Sequence, residues 1–234
     1  MIRIFILMFC LILADQSLHA EASFRKPDEL FRVLNDNDKW VVIAEKEDIT
    51  LSTKSIDGMN LVAFMAKQKT SIPTEIIRDI IMDVKSYGQY FKSSGSFNFK
   101  EIERESNWVK GYHLLPIDLP FMKDREYFFR VHAKRYDLHD KTSIVHWYLI
   151  KNEPSDEQMV QNISMDAIKL DYGAGMWMAE PIDEKEYILS YRLYLDPGGS
   201  IPGFAVELFN KMNIVNVFKD VVKEATHRNI TAVP

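Results

Sequence analysis

The feature that most constrains this chain is a change of pattern near its C-terminus, where a strand pattern gives way to one long helix pattern. The run 196–203 between them reads Asp-Pro-Gly-Gly-Ser-Ile-Pro-Gly. Its prolines and glycines break the strand and start a helix, since proline is tolerated in a first helical turn and glycine permits a sharp reversal. Beyond it, apolar residues recur every three or four positions: Phe204, Leu208, Met212, Val215, Phe218, Val222 and Ala225. A helix with such a stripe must bury it, so we expect it to cover a sheet formed upstream.

The first residues are predicted to be an export signal. Arg3 supplies one positive charge, an unbroken apolar run extends from Ile4 to Ala14, and Ala20 offers a small residue at a cleavage point. The run is shorter than the roughly 20 residues that a membrane-spanning helix needs. We therefore expect a signal peptide over residues 1–20 and an exported protein, periplasmic or secreted, with an uncleaved anchor as the alternative.

Composition limits the partners of the remaining chain. Residues 21–234 suffice for one sizeable core, so a single, monomeric domain is expected. The only cysteine, Cys10, lies in the signal, which leaves stability to packing rather than to disulfides. The net charge of −5 survives cleavage because Arg3 and Asp15 cancel. An acidic protein gains little attraction to phosphate backbones or anionic lipids, so we expect no nucleic acid partner and only transient membrane contact.

The order of patterns predicts an α+β domain. A short helix over 24–35 precedes a meander of strands, one helix interrupts the strands near Pro73 to Val84, and the long helix comes last. The predicted strands are Trp40–Ala44, Ile49–Thr53, Leu61–Thr70, Phe97–Arg104, Trp108–Leu115, Arg125–Tyr136, Ile144–Lys151, Ala167–Tyr172 with Met176–Ala179, and Tyr187–Leu195. A curved antiparallel sheet around the last helix would enclose a space.

Strand parity indicates what fills that space. In the strand from Arg125, one face presents Tyr127, Phe129 and Val131, while the other carries mostly charged residues, so the first face is predicted to point inward. Residues of common parity elsewhere are Trp108, Tyr112 and Leu114; Leu170 and Tyr172; and Leu189, Tyr191 and Leu193. Large apolar bodies with isolated polar tips suit a ligand pocket, with an ordinary core as the alternative.

Three segments resemble the START (steroidogenic acute regulatory protein-related lipid transfer) domain, which has a helix-grip fold. They are the Asp-Arg-Glu strand start at 124–126, the glycine-containing strand from Tyr172 to Pro181, and the strand, turn and helix start from Tyr191 to Phe204. The resemblance covers nearly the whole chain after the signal.

The resemblance implies a hydrophobic tunnel between a curved sheet and the C-terminal helix that holds one lipid. We expect no cofactor, metal or catalytic residue, since the sequence shows no metal-ligand spacing and no nucleophile beside a histidine base. The predicted polar contacts to this lipid are Tyr112, Tyr127 and Tyr172, and the predicted apolar wall is Trp108, Phe129, Val131, Leu170 and Tyr191. Phe204, Leu208 and Met212 are predicted to form a lid at the membrane. Positions that carry a charged pair in some sterol-binding members fall on Tyr112 and Val131, so the cargo stays open among sterols, phospholipids and other apolar molecules.

Other functions remain open as alternatives. Lys110 shares the parity of Tyr112 and would meet a phosphate if it lay deep, although a solvated lysine is the commoner outcome. A metal site of His113, His132 and His146 is disfavoured by parity. Enzymes of the helix-grip type would need a buried histidine or carboxylate on the inner face, and the predicted faces contain none. A lipid-sensing adaptor would need an exposed partner surface, for which the polar loop 153–166 is the one candidate.

Overall fold

A computed structural model describes residues 27–93, 98–117, 122–133, 142–151, 153–160, 166–198 and 203–231, without the side chains of 143, 157, 203–210 and 212. The predicted signal segment lies outside these residues. The elements are, in chain order, α1 (Pro27–Asn35), β1 (Val41–Lys46), β2 (Ile49–Ser55), β3 (Val62–Thr70), α2 (Thr74–Met82), a 3₁₀ turn (Val84–Ser86), α3 (Tyr87–Tyr90), β4 (Asn98–Arg104), β5 (Trp108–Leu115), β6 (Arg125–His132), β7 (Ser143–Ile150), α4 (Pro154–Met159), β8 (Ile168–Lys169), β9 (Gly173–Pro181), β10 (Tyr187–Leu195) and α5 (Gly203–Thr231).

The strands form one sheet in the order β1-β2-β3-β10-β9-β7-β6-β5-β4, and β8 pairs with β6. Neighbours along this order are antiparallel, whereas β8 runs parallel to β6. The last strand of the chain, β10, therefore lies inside the sheet between β3 and β9. Its central position lets the turn after it deliver α5 onto the inner face of the sheet.

Helix α5 packs on this inner face together with α2. Ile214, Phe218, Val221 and Ala225 are fully buried, whereas Val215 and Val222 are only half-buried. The spacing of four, three and four residues between the buried positions is that of one helical face. The α+β architecture with a covering C-terminal helix is thereby confirmed, and the buried face is rotated slightly from the predicted stripe.

Helix α1 covers part of the opposite face of the sheet. Leu30, Phe31 and Leu34 are buried in a second cluster with residues of β9 such as Met176. Two buried cations, Lys54 and Arg192, donate to the carbonyl oxygens at the C-terminal end of α1, where helical carbonyls lack intrahelical partners. Strands β9 and β10 are consequently covered on both faces. No helix among the described residues is long and apolar enough to cross a membrane.

Candidate functional site

A cavity of about 120 Å³ lies between the inner face of the sheet and α5. The sheet contributes most of its wall, α2, α3 and the residues after α3 close one side, and α5 closes another. The lining residues are Ile81, Tyr87, Phe91, Phe99, His113, Leu115, Tyr127, Phe129, Val131, Trp147, Trp177, Tyr191, Leu193, Leu195, Asn213 and Val217. The wall is therefore mainly aromatic and aliphatic, with few polar atoms.

Strand β6 supplies the centre of this wall as predicted from its parity. Tyr127, Phe129 and Val131 line the cavity, and so does Tyr191 of β10. These four are the predicted ligand-binding residues that the structure brings together. Whether they bind a ligand stays a prediction.

The face predicted for β5 is wrong by one residue. Tyr112 pairs with Phe128 across the β5–β6 ladder, so both point to the outer face, whereas His113 pairs with Tyr127 and faces the cavity. Tyr112 contacts Phe128 and Val160 in a separate cluster, and its hydroxyl donates to Glu126 at 2.9 Å. A strand buried on both faces carries little parity signal, which explains the error.

Trp108, Leu170 and Tyr172 also lie away from the cavity wall. Trp108 shares the outer face with Arg130, whose guanidinium carbon lies 4.3 Å from the centre of the Trp108 ring. Tyr172 packs edge-on to Tyr194 beneath α1. Leu170 is buried in the main core without lining the cavity. Phe204, Leu208 and Met212 belong to α5, but their side chains lie outside the described residues, so the lid stays a prediction.

His113 and Tyr127 form the first polar pair of the cavity. The Nδ1 atom of His113 lies 2.7 Å from the Tyr127 hydroxyl, with the direction of the hydrogen bond set by the tautomer. The imidazole is 1% exposed and stacks on Phe99 at 3.8 Å between ring centres. Burial lowers the pKa of His113 to about 3 and raises the pKa of Tyr127. Both groups are thus neutral over the physiological range.

Trp147 and Tyr191 form the second polar pair. The indole Nε1 of Trp147 donates to the Tyr191 hydroxyl at 3.2 Å, and burial raises the pKa of Tyr191. Trp177 stacks between Tyr191 at 4.5 Å and Phe218 of α5 at 5.7 Å. This stack connects the sheet to the covering helix across the cavity.

Two glycines allow aromatic rings to lie flat against the sheet. A Cβ atom at Gly111 would lie 2.8 Å from Cε1 of Phe129, and one at Gly175 would lie 2.5 Å from Nε1 of Trp147. Both rings cross a neighbouring strand at the glycine, which no larger residue would permit. Gly111 and Gly175 consequently set how far these two rings project into the cavity.

Sequence reasoning missed His113, Trp147, Trp177 and Phe99 as wall residues. One signal in the sequence could have given the correct face of β5. Lys110 has the parity of Tyr112, and a lysine is rarely placed in an apolar cavity, so this face should have been assigned to the outside. Lys110 lies instead on the outer face, 2.6 Å from Asp156 of α4. A short helix on that face hides the lysine from water and removes the expected contrast between the two faces.

Two of the three histidines considered for a metal site lie on the outer face. The rings of His132 and His146 stack at 5.1 Å, and His113 lies on the other side of the sheet. Among the described residues, no group of three or more His, Cys, Asp or Glu side chains is arranged to hold a metal ion.

Comparison with known proteins gives the fold but no relative in sequence. No family model and no curated protein matches this chain. Among solved structures, a STAR-related lipid transfer protein fragment from Xanthomonas axonopodis matches 81% of this chain and 98% of its own length, with a TM-score of 0.60 and 16% identity.

Two human structures match similarly. STARD10 matches over 85% of this chain and 78% of its own length, with a TM-score of 0.65 and 15% identity. StAR-related lipid transfer protein 5 matches over 86% and 92%, with a TM-score of 0.62 and 13% identity. The chain therefore has the START fold, as the three sequence segments predicted.

Proposed function

We propose that this START-fold chain binds one hydrophobic lipid, such as a sterol or a phospholipid, in the cavity beneath α5 and carries it between membranes. The observation that carries the proposal is the cavity itself, whose aromatic and aliphatic wall contains two neutral polar pairs. Apolar pockets with a few placed polar groups are typical of sites for small hydrophobic molecules. The names of the solved structures with this fold, which describe lipid transfer proteins, agree with this function.

The polar pairs favour an uncharged part of the cargo. Tyr127, His113 and Tyr191 are neutral in this site, so they offer hydrogen bonds to a hydroxyl or ester without a counter-charge. Lys110, the cation considered for a phosphate, is paired with Asp156 on the other face of the sheet. Apolar burial supplies the affinity, at about 0.8 kcal/mol per CH₂ group, so no covalent step is needed to retain the cargo.

Loading requires the cavity to expand. Its volume of about 120 Å³ is below the roughly 300–1,000 Å³ of pockets for drug-sized ligands. The C-terminal part of α5 is tied down, since Asp220 accepts two hydrogen bonds from Ser93 and Arg228 donates to Tyr90. Opening is therefore assigned to the part of α5 that carries the predicted lid residues, with brief contact at a membrane.

An enzyme is the second candidate, and one observation favours it. His113 is a buried histidine on the inner face, which is the feature that the sequence failed to reveal. General acid–base catalysis works best with pKa values near the operating pH, whereas the pKa of His113 is about 3 and that of Tyr127 is raised. These pKa values favour a binding role for the pair.

The experiment is native mass spectrometry of the protein purified from its own host, with identification of any extracted lipid, followed by a liposome transfer assay. Fractionation of the host tests the proposed export through residues 1–20.

Val217→Trp should fill the cavity and prevent lipid uptake, while Lys223→Trp on the exposed side of α5 should leave lipid uptake unchanged. An empty protein that takes up no lipid would overturn the carrier function and favour an enzyme for a small hydrophobic substrate. Stable lipid retention without transfer would indicate a sensor or adaptor.

A further inference from the structure

The described part of helix α5 contributes one polar side chain to the wall of the cavity. Asn213 lines the cavity one turn before Val217, as residues four apart lie on the same side of a helix. Each of them is followed directly by a fully buried residue, Ile214 and Phe218. Asn213 is half-buried and therefore belongs to the cavity side of α5, whereas Lys223 is exposed.

The carboxamide of Asn213 makes no hydrogen bond within the part of the chain that the structure describes. The other polar side chains of the wall are engaged within the protein, namely Tyr87, His113, Tyr127, Trp147 and Tyr191. On the same helix, Asn216 has a structural partner, because its Nδ2 atom donates to the carbonyl oxygen of Ser93 at 3.0 Å. The fold thus uses the amide of Asn216, whereas the amide of Asn213 is left to the contents of the cavity.

Asn213 lies toward the end of the cavity that the predicted lid covers. The turn between β1 and β2 is level with the start of β10, and Lys219 of α5 contacts Glu47 in that turn. Helix α5 therefore runs back along β10, and Phe218 stacks on Trp177 of β9. Five residues of helix place Asn213 roughly 7.5 Å nearer the end of β10 than Phe218. A polar group bound to Asn213 consequently lies next to the predicted lid.

The hydrogen-bonding capacity of the wall indicates which polar groups fit. No Asp, Glu, Lys or Arg is among the described residues that line the cavity, so a phosphate or an ammonium would be buried without a counter-charge. The Tyr191 hydroxyl accepts from Trp147, so its own hydrogen remains to be donated to a cargo oxygen. The Oδ1 atom of Asn213 adds an acceptor. An uncharged group with a hydrogen to donate, such as a hydroxyl or an amide, matches this acceptor.

We propose that Asn213 determines the class of cargo by accepting a hydrogen bond from an uncharged hydroxyl or amide of the lipid. The site thereby selects neutral lipids with a free O–H or N–H over lipids whose polar groups are all esterified or charged. This inference rests on the proposed lipid-binding function and adds to it a residue that reads the polar end of the cargo. Asn213 contributes to selection and not to the stability of the empty protein, because its amide has no partner in the described fold.

Undecanol and decyl methyl ether test this selection, because they are isomers that differ in whether the oxygen carries a hydrogen. Each is titrated into the full chain after extraction of bound lipid, and binding is followed by the fluorescence of Trp147 and Trp177, which line the cavity. The dissociation constant of the ether divided by that of the alcohol should fall about fivefold in Asn213→Leu, the effect of one lost hydrogen bond. Leucine has nearly the shape of asparagine, so the apolar contacts of the cargo are retained.

The matched control is Asn216→Leu, the same substitution three residues along α5. It should leave the ratio unchanged and lower the thermal unfolding temperature, because it removes the hydrogen bond to Ser93, whereas Asn213→Leu should not lower that temperature. An unchanged ratio in Asn213→Leu would overturn the proposal and assign the hydroxyl to one of the polar pairs on the sheet. A loss of stability in Asn213→Leu as large as in the control would also overturn it, since the amide would then be structural. A parent protein that binds neither compound would overturn lipid binding and this selection together.

Binding of both compounds with an unchanged ratio would leave lipid binding standing, so the two failures are distinguishable.

Discussion

His113 is the residue at which burial and chemistry conflict most directly. Its imidazole is 1% exposed, stacked on Phe99 and hydrogen-bonded to Tyr127, and this environment disfavours the charged form. The pKa of His113 falls from an ordinary 6.5 to about 3. The folded protein therefore excludes a proton that the unfolded chain accepts below pH 6.5.

We predict that this difference makes stability depend on pH. Because the pKa of His113 is lower in the folded protein than in the unfolded chain, protonation favours unfolding below pH 6.5. The unfolding free energy is therefore unaffected by this residue above pH 6.5 and falls as the pH decreases toward 3. Between pH 7 and pH 5 the chain should lose about 2 kcal/mol of unfolding free energy through this residue. Guanidinium unfolding of the parent and of His113→Gln at both pH values measures the loss.

The variant is the internal control for all other titrating groups. Its unfolding free energy should be lower at pH 7 but should depend less on pH, since glutamine does not titrate. Equal pH dependence in the two proteins would show that His113 is not the group held neutral by folding.

Gly111 gives a second prediction at the residue scale, since its missing side chain leaves room for the ring of Phe129. Gly111→Ala forces the ring of Phe129 to move, and overpacking of this kind costs about 1–3 kcal/mol. The displaced ring should also reduce the cavity and shift bound lipids toward smaller species. Gly88→Ala is the matched control, because nothing lies within 4 Å of the added methyl group. Thermal unfolding and mass spectrometry of bound lipids measure both effects.

Among the elements, α1 depends on cations beneath its C-terminal end. Arg192 is 1% exposed and donates to the carbonyls of Leu34 and Asn35 and to the carboxylate of Glu180. Lys54 donates to the carbonyls of Val33 and Asp36. These bonds satisfy backbone oxygens that would otherwise be buried without partners.

We expect Arg192→Met to lower the unfolding free energy by about 1–3 kcal/mol, since it leaves two buried helix carbonyls without a donor, while Glu180 keeps its hydrogen bond from Asn37. Lys69→Met removes an exposed ion pair with Glu186 at 2.7 Å and should cost less than about 1 kcal/mol. Urea unfolding compares the two variants. Similar losses in both would contradict the anchoring role of Arg192.

Helix α5 is held at its C-terminal part by the side chain of Asp220. This carboxylate is 5% exposed and accepts hydrogen bonds from the backbone and the hydroxyl of Ser93 at 2.9 and 2.6 Å. Asp220→Ala should lower stability by about 1–3 kcal/mol and accelerate lipid exchange between liposomes. Asp79→Ala, which alters an exposed carboxylate on α2, should change neither quantity. If the Asp220→Ala protein is destabilised but exchanges lipid at the parent rate, the contact between Asp220 and Ser93 stabilises the fold without controlling lipid exchange.

For the whole molecule, the small volume of the cavity predicts a change on loading. Residues 213–231 of α5 include the bonds to Ser93 and Tyr90, whereas residues 203–212 include the predicted lid. Hydrogen exchange should therefore slow on lipid binding mainly in 203–212. Exchange that slows equally along the helix would indicate that α5 moves as one rigid unit.

The sequence by itself determined the order of the strands and of the longer helices, and the inner face of β6 and β10, but it missed α4, which lies in the predicted polar loop 153–166. The C-terminal helix followed from the run of prolines and glycines at 197–203 and from the spacing of Phe218 and Ala225. The inner face of β6 followed from the contrast between Tyr127 and Phe129 on one face and the charged residues Glu126 and Arg130 on the other. These features are local, because periodicity within one segment records which side of that segment is buried.

Only the tertiary structure decided the face of β5 and the polar chemistry of the cavity. Both faces of β5 are buried, one at the cavity and the other against α4 and Val160, so Tyr112 and His113 are equally shielded and parity cannot distinguish them. The partner of Lys110 is 46 residues away along the chain, and that of Trp147 is 44 residues away. Contacts of this range leave no periodic trace in the sequence, since they arise only when the sheet and its covering helices are assembled.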